Sequence, residues 1–135
     1  MMAEIPSNAK IKSIKLYNDD LDSNGSPAIR TDVGIYNGNV KFNDTDGSAT
    51  AYAAEGVIDR DCYGTLMTTL QAANTSGVEV RYETLGVETV GNFMWEDAGL
   101  TSDPGRMLRI ALTIETVAAT AAAGDVTMVV EYIVN

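Results

Sequence analysis

The chain has 135 residues, a size suited to one domain, and its 45% hydrophobic and 21% charged content is ordinary for a globular protein and excludes wholesale disorder. Nineteen acids against nine bases leave a net charge of −10, which repels phosphate backbones and anionic leaflets and argues against nucleic acid and membrane as partners. Histidine is absent and Cys62 is the sole cysteine, so the usual base of a hydrolase triad, most zinc ligand sets and any intrachain disulfide are excluded.

Residues Met1 to Lys10 lack the basic start and apolar stretch of a signal peptide, and no run of ~18 apolar residues spans a membrane. That implies a protein made in a cytoplasm and kept or assembled there. Residues 1–9 read as an N-terminal arm, with Pro6 favouring extended backbone and only Glu4 charged over Met1 to Asn8. Such a segment has little reason to fold on the body by itself, because chain ends are loose unless tied down. Lys10 to Tyr17 is strand-like: Ile14 and Leu16 alternate with Lys15 and Tyr17, and Ile11 is out of phase, which predicts a bulge.

Asn18 to Pro27 is a cluster of turn formers. A strand follows with Ile29, Thr31, Val33 and Ile35 on one face, and Arg30, Asp32 and Tyr36 on the other. Asn37-Gly38 predicts a type I′ hairpin, with Val40 and Phe42 on the returning strand. Asn43 to Ser48 is another turn cluster, and an alanine-rich stretch runs on to Ala54. From Asp59 to Ala73, Cys62, Leu66, Met67 and Leu70 sit at helical spacing, which predicts a short helix capped by Asp59 or Asp61, weakened by Gly64 and ended by Asn74 to Gly77.

Val78, Val80 and Tyr82 alternate with Glu79, Arg81 and Glu83 as in an amphipathic strand. Val87, Val90, Met94 and Ala98 predict a second helix, with Gly99 as its C-cap and Trp95 plugging the core beneath it. Leu108, Ile110, Leu112 and Ile114 form a clean strand. After a small-residue connection from Val117 to Asp125, the last strand runs over Val126, Met128, Val130, Tyr132 and Val134, with Val129 and Ile133 suggesting cover on both faces. The sum is a mainly β fold: one domain over 1–135, an antiparallel β-sandwich or jelly-roll-like barrel with one or two short helical insertions.

The chemistry of the chain is sparse. Asp20-x-Asp22-x-Asn24-Gly25 copies the first half of a calcium loop, where oxygen ligands alternate before a sharp glycine turn. Pro27 stands at the eighth position and Thr31 at the twelfth, where a glutamate belongs, so Asp20, Asp22 and Asn24 read as turn residues and only weak metal candidates. Asp44-x-Asp46-Gly47 is a shorter copy of the same signal. The carboxylate pairs Asp19/Asp20, Asp59/Asp61 and Glu96/Asp97 are sequence neighbours, which suits solvated turns better than a catalytic cleft. Cys62 reads as a small buried side chain without an activating histidine. The reading is a non-enzyme with no cofactor and no catalytic residues.

Three stretches together, Ala9 to Ser23 (AKIKSIKLYNDDLDS), Thr69 to Glu83 (TLQAANTSGVEVRYE) and Asn92 to Gly105 (NFMWEDAGLTSDPG), resemble small virion proteins of tailed bacteriophages, the head decoration or cement proteins. The resemblance implies a structural virion protein on the capsid exterior, made in the host cytoplasm. It implies the major capsid protein as partner, a homotrimer as the assembled form, and an N-terminal arm that reaches a neighbour through Ile5, Pro6, Lys10, Lys12 and Lys15. A tail- or fibre-associated adhesin that binds host glycans is the alternative, and a surface row of aromatic residues would mark it. A calcium-stiffened β-module is a further one.

Overall fold

A computed structural model of the chain describes residues 2–38 and 56–134. Two antiparallel sheets form a β-sandwich, and the mainly β expectation holds. One sheet has the order β1-β6-β3-β4, with β1 at Met2–Pro6, β6 at Met107–Thr116, β3 at Arg30–Asn37 and β4 at Val57–Met67. The other has the order β5-β2-β7, with β5 at Asn74–Glu79, β2 at Ala9–Asn18 and β7 at Val126–Val134. Among the described residues, helix is confined to 3-10 turns at Thr69–Gln71 and Val87–Gly91 and to α1 at Met94–Asp97.

The inward alternation of β2 drives the packing. Ala9, Ile11, Ile14 and Leu16 are all fully buried, and they join Val33, Ile35, Leu108 and Ile110 from the facing sheet in one core. The step from Ile11 to Ile14 is possible because Lys12 is bulged out of register with β7, as the phase of the sequence predicts. β3 is buried along both faces from Thr31 to Tyr36, being central in its sheet and covered outside by β4. Gly34 permits that cover, since a β-carbon there would overlap the backbone carbonyl of Arg60.

Three expectations are corrected. The predicted helix over Asp59 to Ala73 is strand β4 followed by one 3-10 turn. β4 slips register three times against β3, so Cys62 and Tyr63 are both buried, the two-residue period is lost, and the apolar spacing resembles that of a helix. Leu66 sits in the left-handed region at φ 48, its N–H held by the Asp32 carboxylate at 2.8 Å. The second helix shrinks to the 3-10 turn plus α1, with Val87 and Val90 exposed. Gly99 still closes it at φ 68 with its N–H donating to the Glu96 carbonyl. Asn37-Gly38 makes no two-residue hairpin: Asn37 remains in β3 opposite Leu108, and β3 is joined by β4, which begins at Val57. The predicted return strand at Val40 and Phe42, the turn at Asn43 to Ser48 and Asp44-x-Asp46-Gly47 lie outside the described residues.

Residues 1–9 do not stand off as a loose arm. Met2 to Pro6 pair with Ala111 to Met107 as β1, Ile5 is 1% exposed, and Glu4 forms an ion pair with Arg109. Burial of Ile5 supplies what the composition of the segment does not advertise, a single apolar anchor sufficient to seat a short strand.

Candidate functional site

The proposed arm residues separate onto two surfaces. Ile5 lies inside the core, and Pro6 ends β1 opposite Met107. The turn that follows is pinned by Ser7, whose hydroxyl donates to the Asp103 carboxylate at 2.5 Å while Trp95 N–H donates to the Ser7 carbonyl. Lys10 and Lys15 lie on β2 with their side chains on the outward face of the three-stranded sheet, opposite Ile133 and Val129 of β7 respectively, and Lys12 is the bulged residue between them. The Lys10 ammonium stands 4.7 Å from the centre of the Phe93 ring, a cation–π distance. Among the described residues, no ion pair uses Lys10, Lys12 or Lys15.

The acidic loop is organised around one carboxylate. Asp22 Oδ2 accepts the backbone N–H groups of Ala28 (2.7 Å), Ile29 (3.0 Å) and Ala119 (2.9 Å), and Oδ1 accepts that of Thr120 (2.9 Å). These donors outweigh the desolvation that opposes them, the largest single influence, and hold the carboxyl well below the usual aspartate range. Asp20 accepts the N–H of Asp22 and Asn24 that of Ser26, both Asx-type turns. The loop from 19 to 29 and the connection from 117 to 122 are thereby tied together by side chains spent on backbone donors. Among the described residues, no group of three or more His, Cys, Asp or Glu side chains converges as a metal site.

The feature that sequence reasoning missed is a buried polar centre. Arg81 is fully buried, although its place in an alternating segment marks it as outward. β5 ends at Glu79, and the chain turns there and sends Arg81 inward. Its guanidinium pairs with Asp97 Oδ2 at 2.8 Å and donates to the Thr89 hydroxyl (3.2 Å) and carbonyl (3.1 Å). The Tyr63 hydroxyl donates to the same Asp97 oxygen at 3.1 Å. Desolvation pushes the Asp97 carboxyl up, against the pull of Arg81, and pushes the Tyr63 phenol well above its ordinary value. A lone arginine between Val80 and Tyr82 gives no sequence signal of this role.

Nothing in these groups is poised for covalent chemistry. Burial, with the charges of Asp59 and Asp97 behind it, pushes the Cys62 thiol far above the range in which a thiolate forms at neutral pH. Met94 of α1 is the fully buried residue of the aromatic cluster, whereas Trp95 is half-buried and tied to Ser7. The outward face of the four-stranded sheet carries an ion network in which Arg60 bridges Asp32 (3.1 Å) and Glu115 (2.9 Å). What the surface offers is strand edges, apolar side chains and charge, the materials of binding.

No protein-family model and no curated protein matches the sequence. Two solved structures share the fold. A chain described as "Capsid of Ralstonia phage GP4" is 21% identical with a TM-score of 0.65, the match covering 98% of this chain and 70% of that one. A chain from "Cyanophage Pam1 capsid asymmetric unit" is 26% identical with a TM-score of 0.54, covering 100% of this chain and 73% of that one.

Proposed function

We propose that the chain is a non-enzymatic structural protein of a tailed-phage virion, one β-rich domain that decorates or cements the outside of the shell formed by the major capsid protein. The observation that carries this reading is that chains from two phage capsids share the fold over nearly the whole of this one. The side chains agree with it. Asp22 and Arg81 spend their charge on internal hydrogen bonds, and Asp97 Oδ2 takes the Arg81 guanidinium and the Tyr63 hydroxyl, as suits a structural body. The protein is made in the host cytoplasm and adds to the capsid exterior, where an acidic surface keeps free copies soluble. The adhesin reading draws no support, since among the described residues Tyr132 is the one aromatic with high exposure and no row of such residues exists.

Quantitative mass spectrometry of purified virions tests the proposal. Many copies per particle are expected, with surface labelling by a membrane-impermeant amine reagent on intact heads. A single-digit copy number, or recovery only with separated tails, overturns it.

A further inference from the structure

Asparagine is a thermolabile residue, and most so before glycine, where no β-carbon hinders the following backbone nitrogen from closing on the asparagine side chain. The chain contains the pair at Asn24-Gly25 and again at Asn37-Gly38, and the fold treats the two differently. Asn37 lies in β3 opposite Leu108, its N–H donating to the Gly56 carbonyl at 2.6 Å. Gly38 is buried, and its N–H is engaged by the Met107 carbonyl at 3.2 Å. Asn24 and Gly25 are exposed in the loop from 19 to 29, and the Gly25 N–H donates to no group among the described residues. A β-carbon at Gly25 would meet nothing within 4 Å, and its φ is not positive, so the fold itself does not call for glycine there. The Asn24 side chain is held at both ends. Its Oδ1 accepts the Ser26 N–H at 2.9 Å, and its Nδ2 donates to the Thr120 hydroxyl at 3.0 Å. Thr120 is fixed in turn by its N–H on Asp22 Oδ1 and by its carbonyl, which accepts the Ser23 N–H at 3.0 Å.

We infer that Asn24 is a site of self-catalysed deamidation, with Ser26 and Thr120 supplying the groups that the reaction needs. Hydroxide takes the Gly25 amide proton, and that nitrogen attacks Cγ of Asn24. As the N–Cγ bond forms, negative charge develops on Oδ1, where the Ser26 N–H already stands as an oxyanion donor. The Cγ–Nδ2 bond then breaks. Nδ2 leaves as ammonia, taking a proton from the Thr120 hydroxyl, which regains one from water. Water opens the resulting succinimide at either carbonyl, to aspartate or isoaspartate, and nothing is oxidised or reduced. Each event adds one negative charge to the net −10. The isoaspartyl product routes the backbone through the former side chain, so the ties to Ser26 and Thr120 are lost and the 19–29 loop loosens from the 117–122 connection. Modification accumulates with the age of each folded copy, whatever the chain binds.

Peptide mass spectrometry of the whole chain, incubated for weeks at mildly alkaline pH either folded or in concentrated urea, tests the inference. In the folded protein a gain of ~1 Da should collect at Asn24, with ammonia released in step. Asn37 should lag about tenfold or more, because the Gly38 N–H must first break its bond. In urea the two sites should react at similar rates, and Asn24 no faster than in the folded chain. Thr120→Val keeps the backbone N–H that Asp22 holds, and it should slow the folded reaction at Asn24 about tenfold without changing the rate in urea. Gly25→Ala should slow Asn24 in both states and leave the melting curve in place. Melting curves identify any variant that fails to fold, and the comparison of the two sites in the unaltered protein stands without the variants. Asn37 reacting as fast as Asn24 in the folded chain, Asn24 reacting faster in urea than when folded, or a folded Thr120→Val protein that reacts like the parent would each overturn the inference.

Discussion

Substitution of Ile5 by alanine separates a seated strand from a free arm. Ile5 is 1% exposed and packs in the core from β1, opposite Leu108 of β6. The change removes three carbons, worth about 2.4 kcal/mol at ~0.8 kcal/mol for each buried CH2, and the cavity left behind brings the cost to about 2–5 kcal/mol. Unfolding entropy of ~2.1 cal/mol/K per residue over 135 residues converts this into a melting temperature lowered by about 7–18 °C. Differential scanning calorimetry with urea melts at constant slope is the assay. Lys15→Ala serves as the exposed control on β2 and should stay within ~0.5 kcal/mol of the parent. Deleting residues 2–6 should cost at least as much, because it uncovers the β6 edge as well as the core. An Ile5→Ala protein that melts within a degree or so of the parent refutes the reasoning and puts residues 2–6 off the body in solution.

Three further outcomes are expected. Asp22→Asn should lower the melting temperature most at neutral pH. The folded carboxyl ionises below the ordinary aspartate value of 3.8, so its contribution is present above that pH and drains away as pH falls further; the gap between parent and variant should close in acid, and a gap that widens contradicts the four-donor clamp. Arg81→Ala should cost about 3–5 kcal/mol in chemical denaturation by stranding Asp97 without its cation, and Arg81→Met with Asp97→Leu should recover much of that loss; equal damage in both proteins would remove the ion pair as the cause. Gly34→Ala should give little soluble folded protein, because the new β-carbon meets the Arg60 carbonyl and backbone cannot yield as a side chain does; a variant with native stability contradicts the close approach of β4 to β3.

Regular strands were legible where alternation survives. β6 and β7 lie where their apolar residues alternate, and the phase slip between Ile11 and Ile14 announced the bulge in β2. β4 was illegible because bulges move neighbouring residues to the same face, and Cys62, Leu66, Met67 and Leu70 then imitate a helix. β1 was illegible because its reason for folding is long-range: nothing near Ile5 in sequence shows that Leu108 waits to cover it. The calcium-like spacing at Asp20, Asp22 and Asn24 did mark an organised loop, though what its side chains hold are backbone amides of the loop itself and of Ala119 and Thr120. Alternation places Arg81 outward because it carries no information about where a strand stops, and β5 stops at Glu79.

The register of the sandwich also governs when it can exist. Residues 2–6 are synthesised early yet find their partners at 107–111, and Ala9 pairs with Val134, so each sheet joins strands about a hundred or more residues apart. Closing such loops costs entropy before any pairing is gained, and topologies of this kind fold slowly. While the chain emerges from the ribosome, Ile5, Ile11, Ile14 and Leu16 have no opposite sheet to enter, and they stay exposed until the last strand is made. The sandwich therefore cannot close before β7 has been made, and the yield of soluble protein should respond to synthesis at lower temperature and to chaperone capacity far more than to substitutions on the finished surface.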